Sequence, residues 1–119
     1  MCLELKSKRS FVATKDKVVY KHVISFHDNK FLTSFIKTLV GMGKTYESKI
    51  SFNRYKQIEE GLHSYPNLSD AEQEAQHFNE VLVKCVIPAG STYYSGTFDG
   101  RKSIASNKLK YIKVIRNYE

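Results

Sequence analysis

The stretch from Gly61 to Ala71 constrains the fold of this chain more than any other. Its first half has the composition of a short buried strand, and Pro66-Asn67 is typical of a turn. Ser69 with Glu72 three residues later is a capping-box pattern, which predicts that a helix begins here. We therefore expect an α+β fold, a small antiparallel or mixed β-sheet packed by one main α-helix at about residues 70–79.

A second strong pattern follows the predicted helix. Val81, Val83, Cys85 and Ile87 alternate with Leu82, Lys84 and Val86, and few polar residues interrupt the run. Such a segment is typical of a central strand that is covered on both faces. We expect Cys85 to be a buried, inert thiol.

The run from Lys17 to Phe26 also has a period of two. Its even positions are mostly apolar, whereas Lys17 and Lys21 occupy odd positions, so the even face is predicted to point inward. His22 lies on that face, and the simplest interpretation is a core histidine with its hydrogen bonds satisfied.

Other segments are less decisive. Residues 31–40 fit helical spacing, but their threonines and phenylalanines favour a strand, and both alternatives stay open. Gly41 and Gly43 indicate a tight connection that needs unusual backbone angles. The 119 residues predict one domain, 1–119, in which residues 1–16 form an edge strand plus a basic loop.

The charge is distributed in three blocks that sum to +7. Residues 1–56 carry +8, residues 57–83 carry −6 without any Lys or Arg, and residues 84–119 carry +5. An acidic helix between two basic strand regions leaves a positive field elsewhere, which attracts nucleotides, nucleic acid or phosphorylated ligands. Solubility alone is the competing explanation of this charge.

Cysteine and histidine usage excludes several kinds of site. Cys2 and Cys85 form no CxxC motif, and the four histidines share no ligand spacing, so we expect no disulfide framework, no metal site and no cofactor. The sequence contains no run of about 18 apolar residues, so we expect no segment that spans a membrane. A reduced, cytoplasmic location is the expectation.

Aromatic and cationic residues occur close together in two parts of the sequence, and such a combination can hold an anionic, base-containing ligand. Aromatic rings would stack on bases and cations would contact phosphates, while nearby glycines would let backbone amides approach an anion. The alternative is that the two adjacent tyrosines point to opposite faces and the glycines only turn the chain. The predicted ligand-binding residues are Lys44, Tyr46, His63, Tyr65, Tyr93, Tyr94, Arg101 and Lys102.

Three motifs resemble small domains found in phage and bacterial genomes. They are Gly43-Lys44-Thr45-Tyr46, then Gly61-Leu62-His63 with Leu68-Ser69-Asp70-Ala71, and Ile87-Pro88-Ala89-Gly90-Ser91-Thr92-Tyr93-Tyr94-Ser95-Gly96. The resemblance covers roughly residues 18–115. Most such domains have no known function, so the resemblance implies a phage or prophage setting, within the host cytoplasm, more than it implies a chemistry.

A fainter resemblance is to the ADP-ribosyltransferase fold, in which a strand also ends in an Ile-Pro-x-Gly-Ser-like motif. These enzymes use a catalytic glutamate, often in a Glu/Gln-x-Glu pair. Gln57-Ile58-Glu59 and Glu72-Gln73-Glu74 match that pair by letter only, because neither lies where the family places it.

No set of residues in the sequence forms a recognisable catalytic motif, so a non-enzymatic function is favoured. The first hypothesis is a phage-type accessory or counter-defence protein that binds a nucleotide signal or nucleic acid. Sequestering a nucleotide would require a pocket, completed by a homo-oligomer, whereas nucleic acid would require an open basic face. The second hypothesis is an inhibitor that binds a host protein. The third is the transferase-like enzyme.

Overall fold

Strand-forming sequence dominates this chain, and its fold is mainly β. The structure is a computed structural model that describes residues 3–5, 9–26, 30–33, 39–74, 80–98 and 100–117. The predicted combination of antiparallel sheet and one helix is confirmed for these residues. The α+β class is wrong, because the helix contributes only seven described residues to a globule built of β-sheets.

The described elements are short at the beginning of the chain and long at its end. In chain order they are β1 (Glu4–Leu5), β2 (Phe11–Val12), β3 (Lys17–Phe26), β4 (Lys30–Thr33), β5 (Leu39–Val40), β6 (Thr45–Glu47), β7 (Ser51–Phe52), β8 (Ile58–Glu60), β9 (Leu62–Ser64), α1 (Leu68–Glu74), β10 (Glu80–Ile87), β11 (Thr92–Phe98), β12 (Arg101–Ser106) and β13 (Lys108–Asn117).

Six strands form a large antiparallel sheet in the order β5-β4-β3-β10-β13-β6. β10 lies between β3 and β13, as its nearly unbroken apolar sequence predicts. Its odd residues, Val81 to Ile87, share one face and are at most 1% exposed. Cys85 is among them, so the prediction of a buried thiol is confirmed.

A smaller antiparallel sheet has the order β1-β11-β12-β9, and β2 pairs with the same edge of β11 as β1. In the region predicted to hold an edge strand and a basic loop, residues 1–16, the structure describes two short strands, β1 and β2, and residues 6–8 of the predicted loop lie outside the described residues. The β7–β8 hairpin joins this region through the pair Leu3–Ile58, whose backbone N–O distances are both 3.0 Å.

The two sheets face each other across the main hydrophobic core. The large sheet supplies residues of β3, β10 and β13, and the small sheet supplies Ile104 together with the half-buried Leu62 and Tyr93. The sheets also meet directly, because Tyr20 and Tyr65 exchange backbone hydrogen bonds with N–O distances of 2.8 and 2.7 Å. This junction holds the end of β9 beside the middle of β3.

Helix α1 covers part of the outer face of the large sheet, where Ala71 packs with Leu82, Tyr20 and Tyr65. The helix begins two residues earlier than predicted. Asn67 occupies the N-cap position, and its carbonyl accepts the first intrahelical hydrogen bond from the amide of Ala71 at 3.3 Å. The expected extension to residue 79 lies outside the described residues.

The inward face of β3 is the reverse of the prediction. Val19 and Val23 are fully buried in the main core, whereas Val18 is 43% exposed. The even positions are more apolar in sequence, but helix α1 covers only those in the middle of the strand. His22 therefore lies on the outer face and not in the main core, and its Nδ1 lies 2.6 Å from a carboxylate oxygen of Glu80.

The ambiguous segment 31–40 is strand wherever it is described, in β4 and β5, and residues 34–38 lie outside the described part. The turn that follows confirms the glycine prediction. Gly43 has a φ of +79°, a left-handed backbone conformation that costs any other residue energy. This turn brings Lys44 beside β13, where its carbonyl accepts a hydrogen bond from the amide of Tyr111 at 3.0 Å.

Candidate functional site

Lys44 directly precedes the edge strand β6 of the large sheet, and Tyr46 is the middle residue of that strand. The Lys44 side chain is exposed, but Tyr46 is half-buried against the main core. Its hydroxyl accepts a hydrogen bond from the amide of Gly41 at 2.7 Å, and its ring meets Tyr111 edge-on with the ring centres 5.6 Å apart. The Tyr46 ring thus braces the turn before β6, and its hydroxyl already has a structural partner.

His63 and Tyr65 lie at the junction between the two sheets. Tyr65 is only 3% exposed, and its ring stacks on His22 beneath helix α1. The Nδ1 atom of His63 lies 3.2 Å from the carbonyl oxygen of Gly61. Because a carbonyl only accepts hydrogen bonds, Nδ1 carries the proton and Nε2 is left as an acceptor.

The His63 ring is held in its neutral form. Burial, together with the positive charge of Lys21, lowers the pKa of His63 to about 4. Its Nε2 atom and the hydroxyl of the neighbouring Ser64 are both buried, and neither has a hydrogen-bond partner among the residues that the structure describes. His63 is therefore an interior polar group and not a surface cation.

Tyr93 and Tyr94 point to opposite faces of β11, as the alternative interpretation of this pair anticipates. Tyr93 stacks on Phe11 with the ring centres 5.5 Å apart, and the Lys17 ammonium lies 5.9 Å from its centre. Tyr94 packs edge-on against Phe52 on the other face. The two rings cannot flank one ligand together.

Arg101 and Lys102 also separate at the start of β12. The Arg101 guanidinium donates to the side-chain oxygen of Gln73 on helix α1, with distances of 3.4 Å from Nε and 3.1 Å from Nη2. Lys102 is exposed on the next position of the strand. The eight predicted residues therefore line several faces of the molecule, and the structure does not bring them together into one site.

A set of cations that the sequence analysis missed lies together on the outer face of the large sheet. β13 carries two bulges opposite β10, between Leu82 and Val83 and between Lys84 and Cys85. Each bulge inserts one extra residue into β13. As a result Lys110, Lys113 and Arg116, which are three residues apart, pair with the even residues of β10 and share their face.

Lys110 and Lys113 lie close to a third cation, Lys84 of β10, and no described acid pairs with any of the three. Lys84 is directly opposite Lys113, and Lys110 is opposite Val86, the next residue of β10 on the same face. Directly opposite side chains have their Cβ atoms about 4.5–5.5 Å apart. No ion pair or hydrogen bond joins these side chains to another described residue. We call Lys84, Lys110 and Lys113 the lysine cluster.

Among the described residues, ion pairs with acids occur at the two ends of this row of cations. Lys108 lies 3.5 Å from Glu47, and Arg116 lies 4.0 Å from Glu72 of helix α1. Both pairs are exposed, so each contributes little to stability. They border the lysine cluster without neutralising it, and the outer face keeps a concentrated positive charge at its centre.

Lys21 differs from the lysine cluster in its surroundings. It lies on the core face of β3, opposite Val83 and between Val19 and Val23. Burial lowers its pKa to about 8. Nearby, burial raises the pKa of Cys85 to about 12 and also raises the pKa of Tyr111. The interior between the sheets thus favours the neutral form of each of these groups.

The described part of the chain contains neither a metal-ligand group nor a membrane-spanning helix. Those residues contain no group of three His, Cys, Asp or Glu side chains that could hold a metal ion. None of their helices has the length and apolar character needed to cross a bilayer.

An open depression of about 270 Å³ lies beside the row of cations, lined by Glu47, Ser48, Lys49, Asn107 and Lys108.

In comparisons with known proteins, no family model, curated protein or solved structure matched the chain.

Proposed function

We propose that this protein binds nucleic acid, and that the lysine cluster on the outer face of the large sheet contacts the phosphate backbone. One observation carries the proposal. Lys84 and Lys113 are direct cross-strand partners, and no ion pair joins either of them to an acid among the described residues. Like charges directly opposite each other in a sheet destabilise it, so a bound polyanion would relieve a repulsion that the free protein contains.

The spacing of the cluster suits a charged polymer. Neighbouring strands are about 4.7–4.9 Å apart, and same-face residues on one strand repeat at about 6–7 Å. Three ammonium groups within such a patch can contact successive phosphates of one backbone. Each contact releases counterions, which makes binding strong at low salt and weak at high salt.

The shape of the surface supports a polymer more than a free nucleotide. Lys110 and Lys113 are exposed on a strand face, where a small ligand would keep much of its surface in water. Sequestration of a nucleotide signal would need an enclosed pocket. The counter-defence role and the host setting stay predictions, and either is compatible with nucleic-acid binding.

The two other hypotheses have less support. An inhibitor of a host protein could use the same cations against an acidic surface. The transferase hypothesis depends on two Gln/Glu-x-Glu matches, which fall on different elements. Glu59 is exposed on β8, and Glu72 lies on helix α1, where it pairs with Arg116 of β13. Glu72 thus lies at the border of the lysine cluster, whereas Glu59 belongs to the separate two-stranded β7–β8 sheet.

Salt-dependent binding tests the proposal. Fluorescence anisotropy would follow a labelled strand of about 20 nucleotides over about 50–300 mM NaCl. Replacing Lys84, Lys110 and Lys113 by Gln should weaken binding about tenfold or more and lower the slope of log K against log salt by about 2. The matched control replaces the exposed Lys15, Lys44 and Lys102 by Gln, which changes the net charge equally.

Two results would contradict the proposal. If both triple variants lose affinity equally, binding follows total charge and not the lysine cluster. If the wild-type protein shows no salt-sensitive binding, nucleic acid is not its ligand. Native mass spectrometry of the purified protein would then reveal either a retained nucleotide, which supports sequestration, or an unliganded protein, which directs the search to host proteins.

A further inference from the structure

The outer face of the large sheet places apolar and cationic side chains in two parallel strips. Across β3, β10 and β13, one row reads Val18, Val86 and Lys110. The next row reads Tyr20, Lys84 and Lys113. The β3 side of this face is therefore apolar and aromatic, whereas the β13 side is cationic.

Helix α1 limits how far this surface extends. It covers the following row at Leu82, which is 1% exposed, and it leaves Val18 43% exposed at the other end. Tyr20 lies at the boundary. It is half-buried, because its side chain packs against the cluster of Tyr65, Ala71 and Leu82 beneath the helix.

The Tyr20 backbone is fixed as well, and together with the packing of the side chain this restricts the ring. Tyr20 exchanges two hydrogen bonds with Tyr65 across the junction of the sheets, in addition to its place in the ladder with β10. A ring that is already ordered loses little conformational entropy when another ring stacks on it. Tyr20 is thus a pre-organised aromatic group next to Lys84.

This arrangement matches the chemistry of a single strand better than that of a duplex. A single strand presents unpaired bases on one side of its phosphates, and such bases stack on aromatic side chains. A duplex hides its base faces and is read through its grooves. We propose that the protein prefers single-stranded nucleic acid, with a base stacked on Tyr20 and phosphates on the lysine cluster. This inference rests on the proposed function.

The test compares tyrosine variants on single-stranded and duplex probes of about 20 nucleotides at one salt concentration. Tyr20→Leu should weaken single-strand binding about 5-fold or more, the loss expected for one stacked base, without changing the salt slope. Tyr20→Phe keeps the ring and should bind like the wild type. Tyr55→Leu is the matched control, because Tyr55 is 68% exposed beside Arg54 on the β7–β8 hairpin.

The outcomes separate this inference from the proposed function. If Tyr20→Leu binds single strands normally, or the wild type binds the duplex as tightly as the single strand, the stacking inference is overturned. The lysine triple variant reports on the proposed function independently. Should Tyr20→Leu fail to fold, the wild-type preference between the two probes still decides: a clear single-strand preference supports the inference, and its absence overturns it.

Discussion

Lys21 and Lys84 sit on neighbouring strands of the same sheet, yet they face opposite environments. Lys21 is opposite Val83 on the core face, whereas Lys84 is opposite Tyr20 and Lys113 on the outer face. In the core, burial lowers the pKa of Lys21 to about 8. On the outer face, Lys84 adds to a charged surface. The role of a lysine in this protein therefore depends on the face of the sheet on which it lies.

The largest expected effect comes from removing the interior charge. Lys21→Met should raise the free energy of unfolding by about 3 kcal/mol at about pH 7, which corresponds to the lowering of its pKa from 10.5 to about 8. Urea denaturation of both proteins measures it. A loss of stability would show that Lys21 makes a favourable interaction in the native state.

The pH dependence of that difference has a definite sign. The unfolded state binds more protons than the native state between pH 8 and 10.5, so Lys21 makes wild-type stability rise across this window. The advantage of Lys21→Met should therefore be full below pH 8 and vanish above pH 10.5. Cys85 and Tyr111, whose pKa values are raised, act oppositely in alkali but do so in both proteins.

His63 provides a second interior group at acid pH. Its pKa is lowered from 6.5 to about 4, so the unfolded state gains a proton first and stability falls as the pH drops through this interval. We expect a loss of about 2 kcal/mol, allowing for partial solvent exposure. In His63→Asn, which can still donate to Gly61, the pH dependence between 6.5 and 4 should flatten. An unchanged profile would assign the acid sensitivity to other groups.

The hydroxyl of the half-buried Tyr46 is a polar group with a hydrogen-bond partner, and its removal tests what that bond contributes to stability. Tyr46→Phe removes the acceptor of the Gly41 amide, and the expected cost is about 1 kcal/mol of stability. Nucleic-acid affinity should stay unchanged, because the hydroxyl serves the turn before β6. A loss of affinity at unchanged stability would return Tyr46 to the binding site that the sequence predicts.

The smallest stability effect is expected on the outer face, where Lys113→Glu places opposite charges across β10 and β13. Stability should rise by about 0.5 kcal/mol, since a repulsive cross-strand pair becomes attractive. Binding should weaken at the same time. Thermal unfolding and anisotropy on the same samples measure both, and parallel changes in the two quantities would contradict a functional origin of the repulsion.

The opposite signs expected for Lys113→Glu separate function from stability. A residue placed for folding alone loses stability when it is replaced, whereas a binding residue can gain stability as affinity falls. Lys102→Glu is a suitable control, because Lys102 is exposed on β12 and lies opposite Thr97 instead of another lysine. We expect little change in its stability.

Local patterns predicted the parts of the fold that depend on near neighbours in sequence. The alternation in β10 identified a central strand with a buried Cys85, and Gly43 marked a turn that needs a positive φ. The outcome for β3 was different, because Val18 and Val19 are equally apolar. The decision between its two faces depended on what packs against each of them.

The candidate site was harder to predict, for two physical reasons. Tyr93 and Tyr94 are adjacent in sequence, but strand geometry sends adjacent side chains to opposite faces. Conversely, Lys110 and Lys113 should lie on opposite faces by simple alternation. A bulge inserts one residue between them and returns both to the same face.

The sequence by itself determined the two long strands β3 and β10, the central position of β10 and a strongly basic charge, because these follow from residue type and local periodicity. Only the tertiary structure decided which cations act together. The register between β10 and β13 placed Lys84 against Lys113, and the packing of the two sheets left Lys21 half-buried on the core face of β3. Register and packing arise from contacts between residues far apart in the chain, and no local pattern encodes them.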